Sequence, residues 1–248
     1  MLAVKRNIQG YEAGHGNPVF IREGRFHVKN MISQKELTEA YRLRHRIFVQ
    51  ELRWVPRQGS VLETDDYDDN AVSFGVFDEL GRLSAYLRLI MPGRPFMLER
   101  EFSSLLDKRH RVRRQGDTSE ISRLCVAPES RNDKISGNFG IHTPSMLLFK
   151  GVYAWCNKNG IRFLYAVAED KVYRLFRAKG FPYRLVGGPV AMPDGVKAVA
   201  VIMDWREFEE TNSGLRPWMF KWFIRDKSSP APLRLPQPGP CSPRPASA

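Results

Sequence analysis

The chain has 248 residues, 42% of them hydrophobic, with a formal net charge of +12. This is enough for one large domain with a true core, and no run of 18 apolar residues predicts a transmembrane helix. Cys125, Cys156 and Cys241 are widely spaced with no C-x-x-C, which argues against a disulfide framework or a zinc site and for a reducing cytoplasm.

Residues 1–24 are Gly-rich and read as a loose arm. The opening MLAVKRNIQGYEAGHG has neither the apolar core nor the cleavage site of a signal peptide. Alternation over Arg25–Met31 predicts an edge strand. Ser33 and Glu36 form an S-x-x-E capping box that starts a helix near residue 34, running to about Leu52. A loop with Pro56 and Gly59 follows. Ala71–Phe77 and Arg82–Met91 read as an antiparallel hairpin around Asp78–Gly81. Phe96–Leu106 is a short helix, Thr118–Ala127 a strand, and 128–141 a long polar loop. Thr143 as N-cap and Pro144 at the first helical position predict a helix to about Lys158, with an N-terminus able to hold an anion. Arg162–Ala168 is a buried strand and Glu169–Lys179 a helix closed by Gly180. Tyr183–Val186 and Val196–Asp204 are the last strands. Trp218, Phe220, Trp222 and Phe223 form an apolar patch that packs on the body. The tail, 225–248, is Pro-rich and reads as disordered. The domain is therefore 25–224. This order describes a mixed α/β sheet with helices on both faces. It fits a GNAT-like acyltransferase fold, whose central strands splay apart to admit a thioester.

The chemistry concentrates in Tyr41–Asp69. On a helix, Leu37, Ala40, Tyr41, Ile47 and Phe48 make one apolar face, and Arg44 lies on it. A guanidinium turned toward a core is costly unless carboxylates meet it, and Glu63, Asp65, Asp66, Asp68 and Asp69 follow. These residues read either as a structural salt bridge beside a solvated acidic loop or as parts of a polar pocket. Arg88 is a second cation among mid-strand apolar residues. Glu120 and Arg123 fall on opposite faces of a regular strand, so a shared site needs a bulge.

From Asp226 onward the chain carries +2, which leaves +10 on the body. A basic body suits nucleic acid, an anionic membrane surface or an acidic carrier protein. The runs Lys108–Arg114 and Arg131–Lys134 come without a nucleic-acid-binding motif. The five histidines have no paired spacing, so no metal is predicted.

Position by position, the chain resembles the acyl-homoserine-lactone synthases, the autoinducer synthases of bacterial quorum sensing. The pattern R-x3-F-x5-W is met by Arg44, Phe48 and Trp54, and E-x-D-x-x-D by Glu63, Asp65 and Asp68. Arg88 stands within YLRLI. P-x-M-L is met by Pro95–Leu98, and E-x-S-R by Glu120, Ser122 and Arg123. The resemblance covers roughly 26–205. It implies that an acyl thioester is joined to the amine of S-adenosylmethionine, followed by lactone closure and release of methylthioadenosine. Both are substrates, and no cofactor, nucleic-acid partner or membrane insertion is implied.

On this reading Glu120 is the candidate base, or else only orients Arg123. Arg44, Phe48, Trp54, Asp65, Asp68 and Arg88 would bind S-adenosylmethionine, with backbone N–H groups near Arg123–Val126 as oxyanion donors. Ser122, Ala166 and Ala168 would line the acyl pocket. In the family a Thr at that last strand goes with 3-oxo chains. The two alanines therefore predict an acyl chain without a 3-oxo group. The loop RNDKISGNFG lacks the spacing of a coenzyme A pyrophosphate loop, which favours acyl carrier protein as donor over acyl-CoA. Two other readings stay open: an N-acyltransferase of related fold acting on a different amine, and a basic nucleic-acid or carrier-binding module.

Overall fold

The two apolar runs read as a hairpin build the centre of the molecule. In the computed structural model, which describes residues 16–57, 59–137 and 139–225, they form β3 (Ala71–Phe77) and β4 (Leu83–Ile90), paired antiparallel. The Asp78 carboxylate closes the turn by accepting the Leu80 and Arg82 N–H groups, each at 2.9 Å. On one side of this hairpin stand β2 (Phe26–Asn30) and β1 (Phe20–Glu23). On the other stands β5 (Thr118–Val126), followed by β8 (Phe163–Glu169), β11 (Lys197–Asp204) and β10 (Val190–Ala191), with β9 (Arg184–Leu185) also on β11. Neighbours are antiparallel except β5 and β8, which run parallel.

Two expectations at the N-terminal end are corrected. Arg25–Met31 was expected at the edge, but β1 covers it and is itself the edge. The predicted loose arm therefore ends early: Ile21 and Glu23 are buried, because β1 pairs with β2 along four residues. Residues 1–15 and the Pro-rich tail from residue 226, with Cys241, lie outside the described residues.

Apolar side chains cover both faces. On one face α3 (Pro144–Asn159) sets Leu147, Leu148, Val152 and Trp155 against Val28, Phe74 and Leu87. Each such side chain stabilises the fold by roughly 1.5–3 kcal/mol. Gly151 lets this helix approach the sheet, since a Cβ there would lie 2.5 Å from Val28 Cγ2. Thr143 caps the helix as expected, accepting from Met146 N. The predicted polar loop before it is partly ordered as a small hairpin, β6 (Ile135–Gly137) with β7 (Gly140–His142).

On the same face, α4 (Asp170–Ala178) buries Phe176, α5 (Trp205–Leu215) buries Trp205 and Phe208, and α6 (Pro217–Ile224) buries Trp222 and Phe223. The predicted aromatic patch is thus divided, with Trp218 left 65% exposed. On the opposite face α1 (Gln34–Arg44) packs Leu37, Ala40 and Tyr41 against Phe77, Tyr86 and Cys125. Beside it, α2 (Met97–Arg100) packs Leu98 with Ile90, Phe96 and Tyr165. No helix among the described residues is long and apolar enough to cross a membrane.

Two irregularities position the site. First, the helix expected to run regularly to Leu52 turns into a π-helix over His45–Glu51, with Leu52 N donating to Ile47 O at 2.8 Å. This leaves the Phe48 carbonyl to accept both Trp54 N and Val55 N, at 2.9 and 3.1 Å, which folds the next loop back over Phe48. Second, β5 and β8 pair only from Thr118 to Ile121 against Phe163 to Ala166. Beyond that point the strands diverge, as the GNAT-like expectation requires.

Candidate active site

An ion lattice underlies the divergence. Arg44 leaves the last turn of α1 and Arg88 the middle of β4, and both are completely buried. Asp65 and Asp68 cap their own short 3-10 helix, Asp66–Asn70: Asp68 Oδ2 accepts Asp65 N at 2.9 Å and Asp65 Oδ1 accepts Tyr67 N at 3.0 Å. Arg44 donates to Glu63 and, at 2.6 Å, to Asp68. Arg88 donates through two nitrogens to Asp65, at 2.6 and 2.7 Å, and also to Asp68 at 2.6 Å and Ser122 Oγ at 2.7 Å. Arg123 closes the lattice on Glu63 at 2.8 Å and Asp65 at 2.9 Å. Three guanidinium groups face three carboxylates.

Burial alone pushes the carboxyl groups of Glu63 and Asp68 up. Their partners together outweigh it, Arg44 with Arg123 at Glu63 and Arg44 with Arg88 at Asp68, so both stay below the usual carboxylate range. At Arg44 burial pulls the guanidinium down, but Tyr86, Asp68 and Glu63 hold it well above its ordinary value.

Arg123 reaches the lattice through the bulge that its sequence position requires. Cys125 faces Tyr86 and Ser122 faces Arg88, so Arg123 and Leu124 together oppose Leu87. Arg123 sits there at φ +54, a left-handed conformation that costs a residue with a side chain about 1 kcal/mol or more. Salt bridges to Glu63 and Asp65 hold it in place.

Above the lattice, a cavity of about 490 Å³ opens between the diverging strands. Phe48 and Trp54, with ring centroids 6.2 Å apart, form one wall. Met97, Glu101 and Phe102 form a second, Ser122 and Arg123 a third, and Val167, Ala168 and Glu169 a fourth, with Met192–Asp194 at the rim. Glu120 lies at the root, where the strands part. It is 1% exposed and accepts the backbone N–H groups of Met97 and Leu98, at 2.7 and 3.1 Å. Burial pushes its carboxyl up to about 8, although those two N–H groups and Arg88 pull the other way.

The structure sorts the residues singled out from the sequence. Glu120, Arg123, Phe48, Trp54, Ser122 and Ala168 line the cavity. Arg44, Asp65, Asp68 and Arg88 do not; they form the lattice behind it, where Arg88 meets Ser122 and Asp65 meets Arg123. Ala166 does not line the cavity either. It pairs with Ile121 before the divergence and faces the α3 core, and Val167 takes its place on the wall. Glu120 does not orient Arg123; its partners are the first N–H groups of α2.

Sequence reading passed over Glu101 and Tyr67. Tyr67 sits between the two matched aspartates, and its O–H donates to Glu101 at 2.7 Å. The basic runs are partly neutralised, with Arg113 on Asp117, Arg114 on Glu99 and Arg131 on Glu51.

Comparison with known proteins places this geometry. A family profile described as autoinducer synthase matches residues 28–212. An acyl-homoserine-lactone synthase of Aeromonas hydrophila is 31% identical over 164 residues, covering 66% of this chain and 77% of that protein. Among solved structures, TofI in a ternary complex with an inhibitor and MTA superposes with a TM-score of 0.61 at 24% identity, over 77% of this chain and 95% of that one. BjaI, a CoA-dependent acyl-homoserine lactone synthase described with SAM and isopentyl-CoA, gives 0.60 at 24% identity, over 73% and 82%. At that identity the two structures show a shared fold, and the profile and the Aeromonas relative carry the assignment. The chain belongs to the autoinducer synthase family.

Proposed function

We propose that Glu120 is the base in the synthesis of acyl-homoserine lactones. The chain is an acyltransferase that moves an acyl group from a thioester to the amine of S-adenosylmethionine. The ammonium group must first lose a proton, and Glu120 takes it. The amine then attacks the thioester carbonyl and the thiol leaves. The substrate carboxylate next displaces the sulfur at Cγ, closing the lactone and releasing methylthioadenosine. The observation that carries this reading is a buried carboxyl group at the root of the cavity, whose deprotonated form, populated as pH approaches 8, is basic enough to take the ammonium proton.

Arg123, the lattice arginine on the cavity wall, binds the substrate carboxylate. Phe48 and Trp54 receive the adenine and the cationic sulfur. The β5 edge past Ile121 has no β8 partner, and its N–H groups are the oxyanion donors. The acyl chain runs past Ala168 toward Met192. The reaction needs no resident cofactor or metal, and the enzyme acts in the cytoplasm.

The acyl donor is an acyl carrier protein. Support comes from the start of α3, where Pro144 lacks an N–H and Thr143 occupies that of Met146, leaving few donors for a coenzyme A pyrophosphate. The +10 body suits an acidic protein surface.

Purified protein given S-adenosylmethionine and an acyl thioester tests the reading. Lactone and methylthioadenosine should form together and only when both substrates are present. Acyl transfer to other amines with no need for S-adenosylmethionine would overturn it.

A further inference from the structure

We propose that Glu101 is a second carboxylate of the active site, the one that holds the ammonium end of the substrate against Glu120. The inference rests on the lactone synthase reading and deepens it.

The substrate arrives with a sulfonium and an ammonium group, so the cavity must offer negative charge. The two carboxylates expected to supply it, Asp65 and Asp68, are spent, together with Glu63, on Arg44, Arg88 and Arg123. Four other carboxylates line the cavity: Glu101, Glu120, Glu169 and Asp194. Glu169 is paired with Lys171 at 2.9 Å, and Asp194 closes its own turn by accepting Val196 N at 3.0 Å. Glu101 meets no cation at ion-pair distance among the described residues. Its contact is the Tyr67 O–H at 2.7 Å, which aims one oxygen and leaves the rest of its acceptor capacity open. Tyr67 is itself fixed beneath, its ring 5.8 Å from the Arg88 guanidinium.

Glu101 and Glu120 both line the cavity, at the two ends of α2, a helix of one turn. Glu120 anchors that helix through Met97 N and Leu98 N, and Glu101 follows at its C-cap. The charge of Glu101 helps to keep Glu120 basic, against the pull of Arg88. The other charged groups on the cavity wall are Arg53 and Arg123. An ammonium between the two glutamates gives its proton to Glu120 while Glu101 balances the charge that remains.

Calorimetry of S-adenosylmethionine binding to the full chain, without thioester, tests this apart from turnover. Glu101→Gln should weaken binding by about tenfold and Glu101→Asp should recover part of it, with unchanged thermal unfolding. In steady state the KM for S-adenosylmethionine should rise and that for the acyl thioester stay level. The acid limb of kcat/KM should move to lower pH, which loss of a merely structural contact would not produce. Tyr67→Phe should act in the same direction, more weakly. Unchanged S-adenosylmethionine affinity in Glu101→Gln, or a defect confined to the thioester, would overturn the proposal. Wild-type lactone output reports separately on the underlying reading.

Discussion

Arg44 and Asp68 meet at 2.6 Å with both side chains out of water, one on the first long helix and the other in the loop that follows it. Neither is tolerable alone, because an unpaired charge at that depth has no solvent to stabilise it. Arg44→Ala leaves Asp68 and Glu63 without their main partner. It should lower unfolding free energy by roughly 3–5 kcal/mol, read as a fall in the urea midpoint, and should lower lactone synthesis by loosening Arg123. Arg123→Ala should spare more of the stability, since the Arg123 side chain is 14% exposed and water can replace part of what it gives Glu63 and Asp65.

Stability should depend on pH in two opposed windows. Glu63 and Asp68 are held below the usual carboxylate range, so the stability they contribute is present at neutral pH and lost as pH falls through their native values. Glu120 is raised from 4.5 to about 8, so the native state keeps a proton that the unfolded chain releases. Its contribution falls as pH rises from about 4.5 to 8, by up to about 1.4 kcal/mol per pH unit. His27, His110 and His142, lowered by burial, add stability as pH rises through 6.5 and partly mask that fall. The difference between wild type and Glu120→Gln isolates it. Thermal unfolding from pH 5 to 8 should show the wild type losing ground steadily against the variant.

Ala168 stands on the cavity wall, where the acyl chain would pass. Wild type should favour donors without a 3-oxo group. Ala168→Thr places a hydroxyl on that wall, and one hydrogen bond of about 1 kcal/mol should shift selectivity about fivefold toward the 3-oxo donor. Competition between the two thioesters, read by mass spectrometry of the products, checks both statements.

Carrier docking should be electrostatic. Raising ionic strength from about 0.05 to 0.5 M shortens the Debye length severalfold. The KM for an acyl carrier protein thioester should rise accordingly, while that for a short pantetheine thioester should stay nearly level.

Much of this site was legible in the sequence, and what was not has physical causes. The apolar stripe of α1 and the mid-strand position of Arg88 put both cations inside, and the E-x-D-x-x-D spacing supplied their partners. The clash between strand alternation and a shared Glu120–Arg123 site announced the bulge. Hidden from the sequence were features set by tertiary contacts. The π-helix depends on a Phe48 carbonyl serving two loop N–H groups. The Glu120 bonds join residues more than twenty apart. Ala166 falls short of the cavity because the pairing of β8 with β5 ends there, and the wall is made by the residues beyond it, where face alternation no longer decides what is exposed. Glu101 stays exposed in the fold, and only its hydrogen bond from Tyr67, more than thirty residues away in the chain, sets it apart from other surface carboxylates.

The central claim is that a buried, basic Glu120 takes the proton that frees the amine. Its most direct test is the pH profile of lactone formation by purified wild type and Glu120→Gln, with folding verified for both. Wild type should show an acid limb near pH 8, and the variant should lose that limb and on the order of 100-fold or more of kcat. A variant that makes lactone at the wild-type rate with the same limb would contradict the account.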